Sequence, residues 1–159
     1  MTDIILTLRL SRRAIGVAVL KAGELTLLDG RYLNQRPERT IPAALRYVEK
    51  LFRVTHATCV IVDAPGHNSP QSVTAALFEA IQRICQERGV PIAVVDRHDV
   101  LSAFTVRSVV DRREARELAR ILWPDLRVVT SKVEPYVADA TAAAMYAECC
   151  NALTNPLTS

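Results

Sequence analysis

The chain has 159 residues, half of them hydrophobic and 23% charged, which is one domain's length with apolar surface enough for a core and excludes wholesale disorder. No apolar run approaches the ~18 residues of a membrane-spanning helix, and Arg9, Arg12 and Arg13 interrupt the N-terminal apolar stretch where a signal peptide needs continuity. The net charge of +3 permits a nucleic-acid partner without requiring one, so the expectation is a soluble, cytoplasmic, single-domain protein over residues 1–150, with a flexible polar tail over 151–159.

The first third reads as strands. Ile4 to Leu10 is an extended apolar run, Ser11-Arg12-Arg13 is a polar break, and Ala14 to Lys21 is rich in β-branched residues. Ala22-Gly23 can turn the chain, and Glu24 to Leu33 alternates again. Such short breaks predict an antiparallel three-stranded meander. Asp29-Gly30 is placed either to end the third strand early or to bulge within it.

The period then changes. From Thr40, with Pro42 expected in the first turn, Leu45, Val48, Leu51 and Phe52 recur at helical spacing. Thr58 to Val62 is a continuous apolar run, as in a strand buried on both faces, and Asp63-Ala64-Pro65-Gly66 signals a loop. Val73, Leu77, Ala80, Ile81 and Ile84 form one helix face that Gly89 closes. Pro91 to Val95 predicts another buried strand, followed by a short segment around Val100 to Phe104. Asp111 with Glu114 resembles a capping box for a helix carrying Ala115, Leu118, Ala119 and Leu122, stopped at Trp123-Pro124. An Ala-rich helix from about Pro135 to Cys150 comes last. Three antiparallel strands leading into strand–helix alternation predict an α/β mixed sheet with helices on both faces.

Cys59, Cys85, Cys149 and Cys150 lack C-x-x-C spacing, which speaks against zinc; Cys59 and Cys85 fall in apolar patterns and read as small buried hydrophobes. With only five glycines and no Gly-rich phosphate loop, nucleotide binding has no support. Two acids stand out by position. Asp63 sits where a buried parallel strand ends, the edge of an α/β sheet where ligands bind. Asp139 lies in the small-residue run Val137-Ala138-Asp139-Ala140-Thr141-Ala142, where a helix packs close to a sheet and a carboxylate needs a cation, a metal or hydrogen-bond donors. On spacing alone, a loop cap and a solvent-facing helical residue are equally good readings of the two.

The meander with Ala14-Ile15-Gly16-Val17-Ala18-Val19, the acid after the fourth strand, and Val137-Ala138-Asp139-Ala140 on the final helix together resemble the RuvC-type Holliday-junction resolvases of the ribonuclease H-like fold. The resemblance runs from about Ile4 to Glu148. It implies a five-stranded mixed sheet in the order 3-2-1-4-5, with the first three strands antiparallel. The related YqgF family of resolvase-like proteins that process ribosomal RNA is similar at Ile15-Gly16-Val17-Ala18-Val19 and at Asp96-Arg97. Such nucleases hold two divalent ions between acids of the first strand, the fourth strand and the last helix, because only converging carboxylates can hold two mutually repelling dications.

The chain departs from that pattern at the centre. Arg9 falls on the first-strand position where the family has Asp, and Tyr136 stands one turn before Asp139 where resolvases place a second acid. A guanidinium ~4 Å from a dication is repelled by about 8 kcal/mol at an effective dielectric of 20. The resemblance therefore implies vestigial acids at Asp63 and Asp139, with Arg9 pairing them in place of metal. The expectation is no cofactor and no metal. An active endonuclease, as a junction resolvase or a YqgF-like RNA-processing nuclease, would need magnesium or manganese on Asp63, Asp139 and a substitute acid such as Glu134 or Asp96.

The basic residues expected to meet nucleic acid are Arg12 and Arg13 in the first hairpin turn, with Arg107, Arg112 and Arg113 near the start of a later helix. The alternative is an ordinary solvated surface interleaved with Asp111, Glu114 and Glu117. Only Lys21, Lys50 and Lys132 among the 20 basic residues are lysine, which suits bidentate phosphate contacts and equally a G/C-rich coding sequence. Aromatics at 5% argue against base stacking on a single strand. Phe104 and Trp123 are expected in the core or a dimer contact. The sequence reading is thus a degenerate resolvase-like homodimer, away from membranes, that binds four-way junction or duplex DNA or structured RNA. An active nuclease and a non-enzymatic protein-interaction scaffold are its alternatives.

Overall fold

The computed structural model describes residues 3–33, 36–64, 72–96, 99–100 and 132–150, with 113, 116–117 and 120–121 between them. Its elements are β1 (Ile4–Leu10), β2 (Ala14–Lys21), β3 (Glu24–Tyr32), α1 (Pro37–Thr55), β4 (Cys59–Asp63), α2 (Val73–Arg88), β5 (Ile92–Val94) and α3 (Glu134–Cys150). Arg113, Arg116, Glu117, Arg120 and Ile121 are also helical. The sheet runs β3-β2-β1-β4-β5. β1, β2 and β3 pair antiparallel, while β4 joins β1, and β5 joins β4, in parallel. This is the architecture expected from the sequence, in order and in direction.

Alternation along the strands divides the core. Leu6, Leu8 and Leu10 of β1, Ile15, Val17 and Val19 of β2, and Val60 and Val62 of β4 meet Val48, Leu51 and Phe52 of α1 and Leu77, Ile81 and Ile84 of α2. The opposite face sets Ile5, Ala18, Leu20 and Ile61 against Ala140, Ala143, Ala144 and Ala147 of α3. Successive strand residues point to opposite faces, so Arg9 and Asp63 share the α3 side with Ile5 and Ile61. Cys59 and Cys85 are buried, and burial pushes each thiol up to about 11.

Several boundaries differ from the sequence reading. α1 begins at Pro37 rather than Thr40, because proline at the first helical position is pre-set for the helix and Glu38 suits its positive end. Pro42 therefore lies in the second turn, where it withholds an N–H from the helix. Asp63 is the last residue of β4 rather than the first of a loop, and β5 is shorter than its apolar run.

The irregularity in β3 is not at Asp29-Gly30. Val19 pairs with Leu27 and Leu20 with Leu25, so the extra residue is Thr26. The turn before it has positive φ at both Ala22 (53°) and Gly23 (80°), the twist that suits a two-residue hairpin. Ser72 caps α2 by accepting from the Ala75 N–H at 3.0 Å, and Gly89, at φ 68°, ends it. Phe104, Asp111, Glu114, Trp123 and the tail lie outside the described residues. Among the described residues, no helix is long and apolar enough to cross a membrane.

Candidate functional site

A single row across the sheet builds the site. Gly30 of β3 pairs with Gly16 of β2, Gly16 with Arg9 of β1, and Arg9 with Asp63 of β4. The two glycines form a trough for the start of α3. A Cβ on Gly16 would stand 2.0 Å from the Tyr136 carbonyl oxygen, and one on Gly30 would stand 2.8 Å from the Val133 Cβ. Only bare backbone admits the helix so closely. Seated there, α3 brings Asp139 over the next position of the row, Arg9.

Arg9, Asp63 and Asp139 are 8%, 3% and 5% exposed. The Arg9 Nε donates to Asp139 Oδ2 at 3.1 Å and lies 3.7 Å from Asp63 Oδ2. Its Nη1 donates to the carbonyl of Leu10, and its Cζ stands 5.7 Å from the centre of the Tyr136 ring, within cation–π range. Asp139 is held from a second side by a fork from Arg116, whose Nε and Nη2 donate at 3.0 Å to Oδ1 and Oδ2. Beside it, Arg120 donates to both oxygens of Glu134 at 2.7 and 2.8 Å. That hydrogen bond raises the pKa of Arg120, which fixes its charge more firmly still.

Three carboxylates thus meet three guanidiniums. The forks on Asp139 and Glu134 occupy the oxygen positions that a metal would need, and Arg9 stands between Asp63 and Asp139, where its charge would oppose a cation. This donor set does not fit a divalent ion. Among the described residues, no group of three or more His, Cys, Asp and Glu side chains is arranged to hold a metal. Chemically, the arrangement neutralises buried acids and ties sheet to helix.

Two solved structures share this architecture. One, of Thermus thermophilus RuvC in complex with Holliday junction substrate, matches with a TM-score of 0.68 at 14% identity, over 92% of this chain and 96% of that one. The other, also Thermus thermophilus RuvC, matches at 0.64 and 15% identity over the same shares. The fold is that of RuvC. No protein-family model and no curated protein matches the chain.

On this RuvC fold the remaining candidates fall as follows. Arg12 and Arg13 are exposed in the β1–β2 turn, where Ser11 Oγ accepts from the Arg13 and Ala14 N–H groups. Arg113 is exposed and lies 3.6 Å from Glu117. Arg107 and Arg112 lie outside the described residues. Asp96 is exposed and accepts from the Asp99 N–H, acting as a helix cap. Tyr146 packs, half-buried, against the alanine layer.

Sequence reasoning gave neither Arg116 nor Arg120 a place in the site. The usable signal was the spacing. Arg116 and Arg120 fall four apart and so share one helix face, whereas Glu134 and Asp139, five apart, stand about 140° from each other round theirs and give no such signal.

Proposed function

We propose that this chain is a resolvase-related protein that binds branched or duplex DNA and does not cut it, because guanidiniums stand where cleavage would need metal ions. The observation that carries this reading is the position of Arg9 between Asp63 and Asp139, with Arg116 forked onto the same Asp139. Metal-assisted phosphodiester hydrolysis needs a dication to activate water and to take up charge on the leaving oxygen, and these acids are already committed to arginine. The fold shared with RuvC, one structure of which is a complex with Holliday junction substrate, supports nucleic acid as the partner. The exposed Arg12, Arg13 and Arg113 supply the phosphate-seeking charge.

The test uses labelled four-way junction DNA in two arms. A mobility shift across a salt series is expected to show binding that weakens steeply as salt rises, the mark of phosphate contacts. Incubation with magnesium or manganese is expected to leave the junction intact. Cleavage by the wild type that disappears in Asp139→Asn would overturn the non-cutting half of the reading. Absence of a shift at low salt would overturn the binding half and leave the scaffold alternative.

A further inference from the structure

Arg113, Arg116 and Arg120 are spaced three and four residues apart, so they lie along one helix stripe. Two of the three are turned inward onto acids of α3. Resting on the nucleic-acid reading above, we infer that Arg116 and Arg120 are a phosphodiester-binding pair, held closed by Asp139 and Glu134 as internal mimics of phosphate, and exchanged onto nucleic acid when it binds.

Three features support the exchange. First, the chemistry matches: both arginines already grip planar anions by two parallel N–H bonds, the geometry a phosphate offers equally. Second, in each pair the arginine is the more exposed partner. Arg116 and Arg120 side chains are 25% and 40% exposed, against 4% and 16% for Asp139 and Glu134. An approaching phosphate therefore meets cation before anion.

Third, each acid keeps a second favourable contact when its arginine is released. Asp139 keeps the Arg9 Nε at 3.1 Å. Glu134 sits in the first turn of α3, where the positive end of the helix favours a carboxylate. An ion pair built only for stability needs no such duplication. Here, the duplication makes the arginines separable from their acids. The more exposed pair, Arg120 with Glu134, opens first.

The experiment measures binding of labelled four-way junction DNA over a salt series for wild type, Glu134→Gln, Arg120→Gln and the double variant. Far-UV circular dichroism and urea midpoints establish that each is folded. Glu134→Gln is expected to bind several-fold more tightly, because Arg120 starts uncommitted. Arg120→Gln is expected to bind more weakly, with a log–log salt slope shallower by about 0.9, since one phosphate no longer meets a cation.

The double variant decides the cause. A gain that came merely from deleting a negative charge would survive in the Arg120→Gln background, whereas release of Arg120 predicts that it vanishes. Survival of the gain, or loss of affinity in both single variants, overturns the inference while leaving DNA binding itself intact. So does wild-type binding that neither variant alters. Failure of the wild type to bind at low salt overturns the underlying nucleic-acid reading instead.

Discussion

Replacing Arg9 with methionine keeps an unbranched stem of similar reach and removes the charge that two buried carboxylates face. At an effective dielectric of 20, unit charges 3.1 and 3.7 Å apart attract by about 5 and about 4.5 kcal/mol. Desolvation of the guanidinium and both acids offsets much of that gain, so the pair's net worth is far below the sum. Removal of one partner is a different matter, because the acids stay desolvated and lose their compensation, at a cost of about 3–5 kcal/mol.

Asp139 still has Arg116 in the variant, so the deficit falls mainly on Asp63. Urea unfolding followed by circular dichroism should therefore show a lower midpoint at an unchanged slope, the sign of reduced stability without a change in compactness. Adding Asp63→Asn to Arg9→Met should restore part of the loss, because the stranded charge is gone. An Arg9→Met protein within about 0.5 kcal/mol of wild type, the range of ordinary surface changes, would refute the counter-ion role. So would a double variant whose losses simply add.

Three further outcomes are expected. Gly16→Ala puts a Cβ 2.0 Å from the Tyr136 carbonyl oxygen, so α3 must lift from the sheet; thermal unfolding should register at least the ~1–3 kcal/mol of overpacking. Ala22→Asn, at φ 53° in the first position of the β2–β3 turn, should raise the urea midpoint, since asparagine is the favoured residue there; a lower midpoint would count against that turn. Cys59 and Cys85, each pushed up to about 11 by burial, should resist iodoacetamide near neutral pH in the native protein and react once it is unfolded, as mapped by mass spectrometry. Because both folded-state values lie above the ordinary thiol value, the folded chain holds its thiol protons longer than the unfolded one. Stability is thus complete below about pH 8.5 and declines as the pH rises toward 11.

The strands and their two faces were legible because alternation encodes burial directly: Leu6, Leu8 and Leu10 go one way, and Ile5 and Arg9 the other. The last helix was legible from its alanines, whose small side chains announce close packing. The bulge at Thr26 was not, because the visible punctuation, Asp29-Gly30, belongs to packing. Gly30 is bare to admit Val133 and Val137, while the extra residue carries no local mark. The start of α1 was misplaced because Pro42 resembles a first-turn proline as well as Pro37 does.

In the site, the pairing of Arg9 with Asp63 and Asp139 could be expected only through the family resemblance, because their meeting depends on a helix 130 residues downstream of β1. The partners Arg116 and Arg120 could not be assigned, because which acid a surface-looking arginine reaches is decided by tertiary packing between two helices. Local spacing shows only that the two point the same way.

The paired forks on α3 also bear on how such a site can change by single steps. Introducing an acid at position 9 alone would leave Arg116 and Arg120 still occupying Asp139 and Glu134, so no vacant pocket would result. Removing either outer arginine first would leave Arg9 still lodged between Asp63 and Asp139. Every one-step route therefore crosses a chain whose interior charge is out of balance, and freeing the acids would require coordinated replacement of Arg9 on the central strand and of Arg116 and Arg120 ahead of α3.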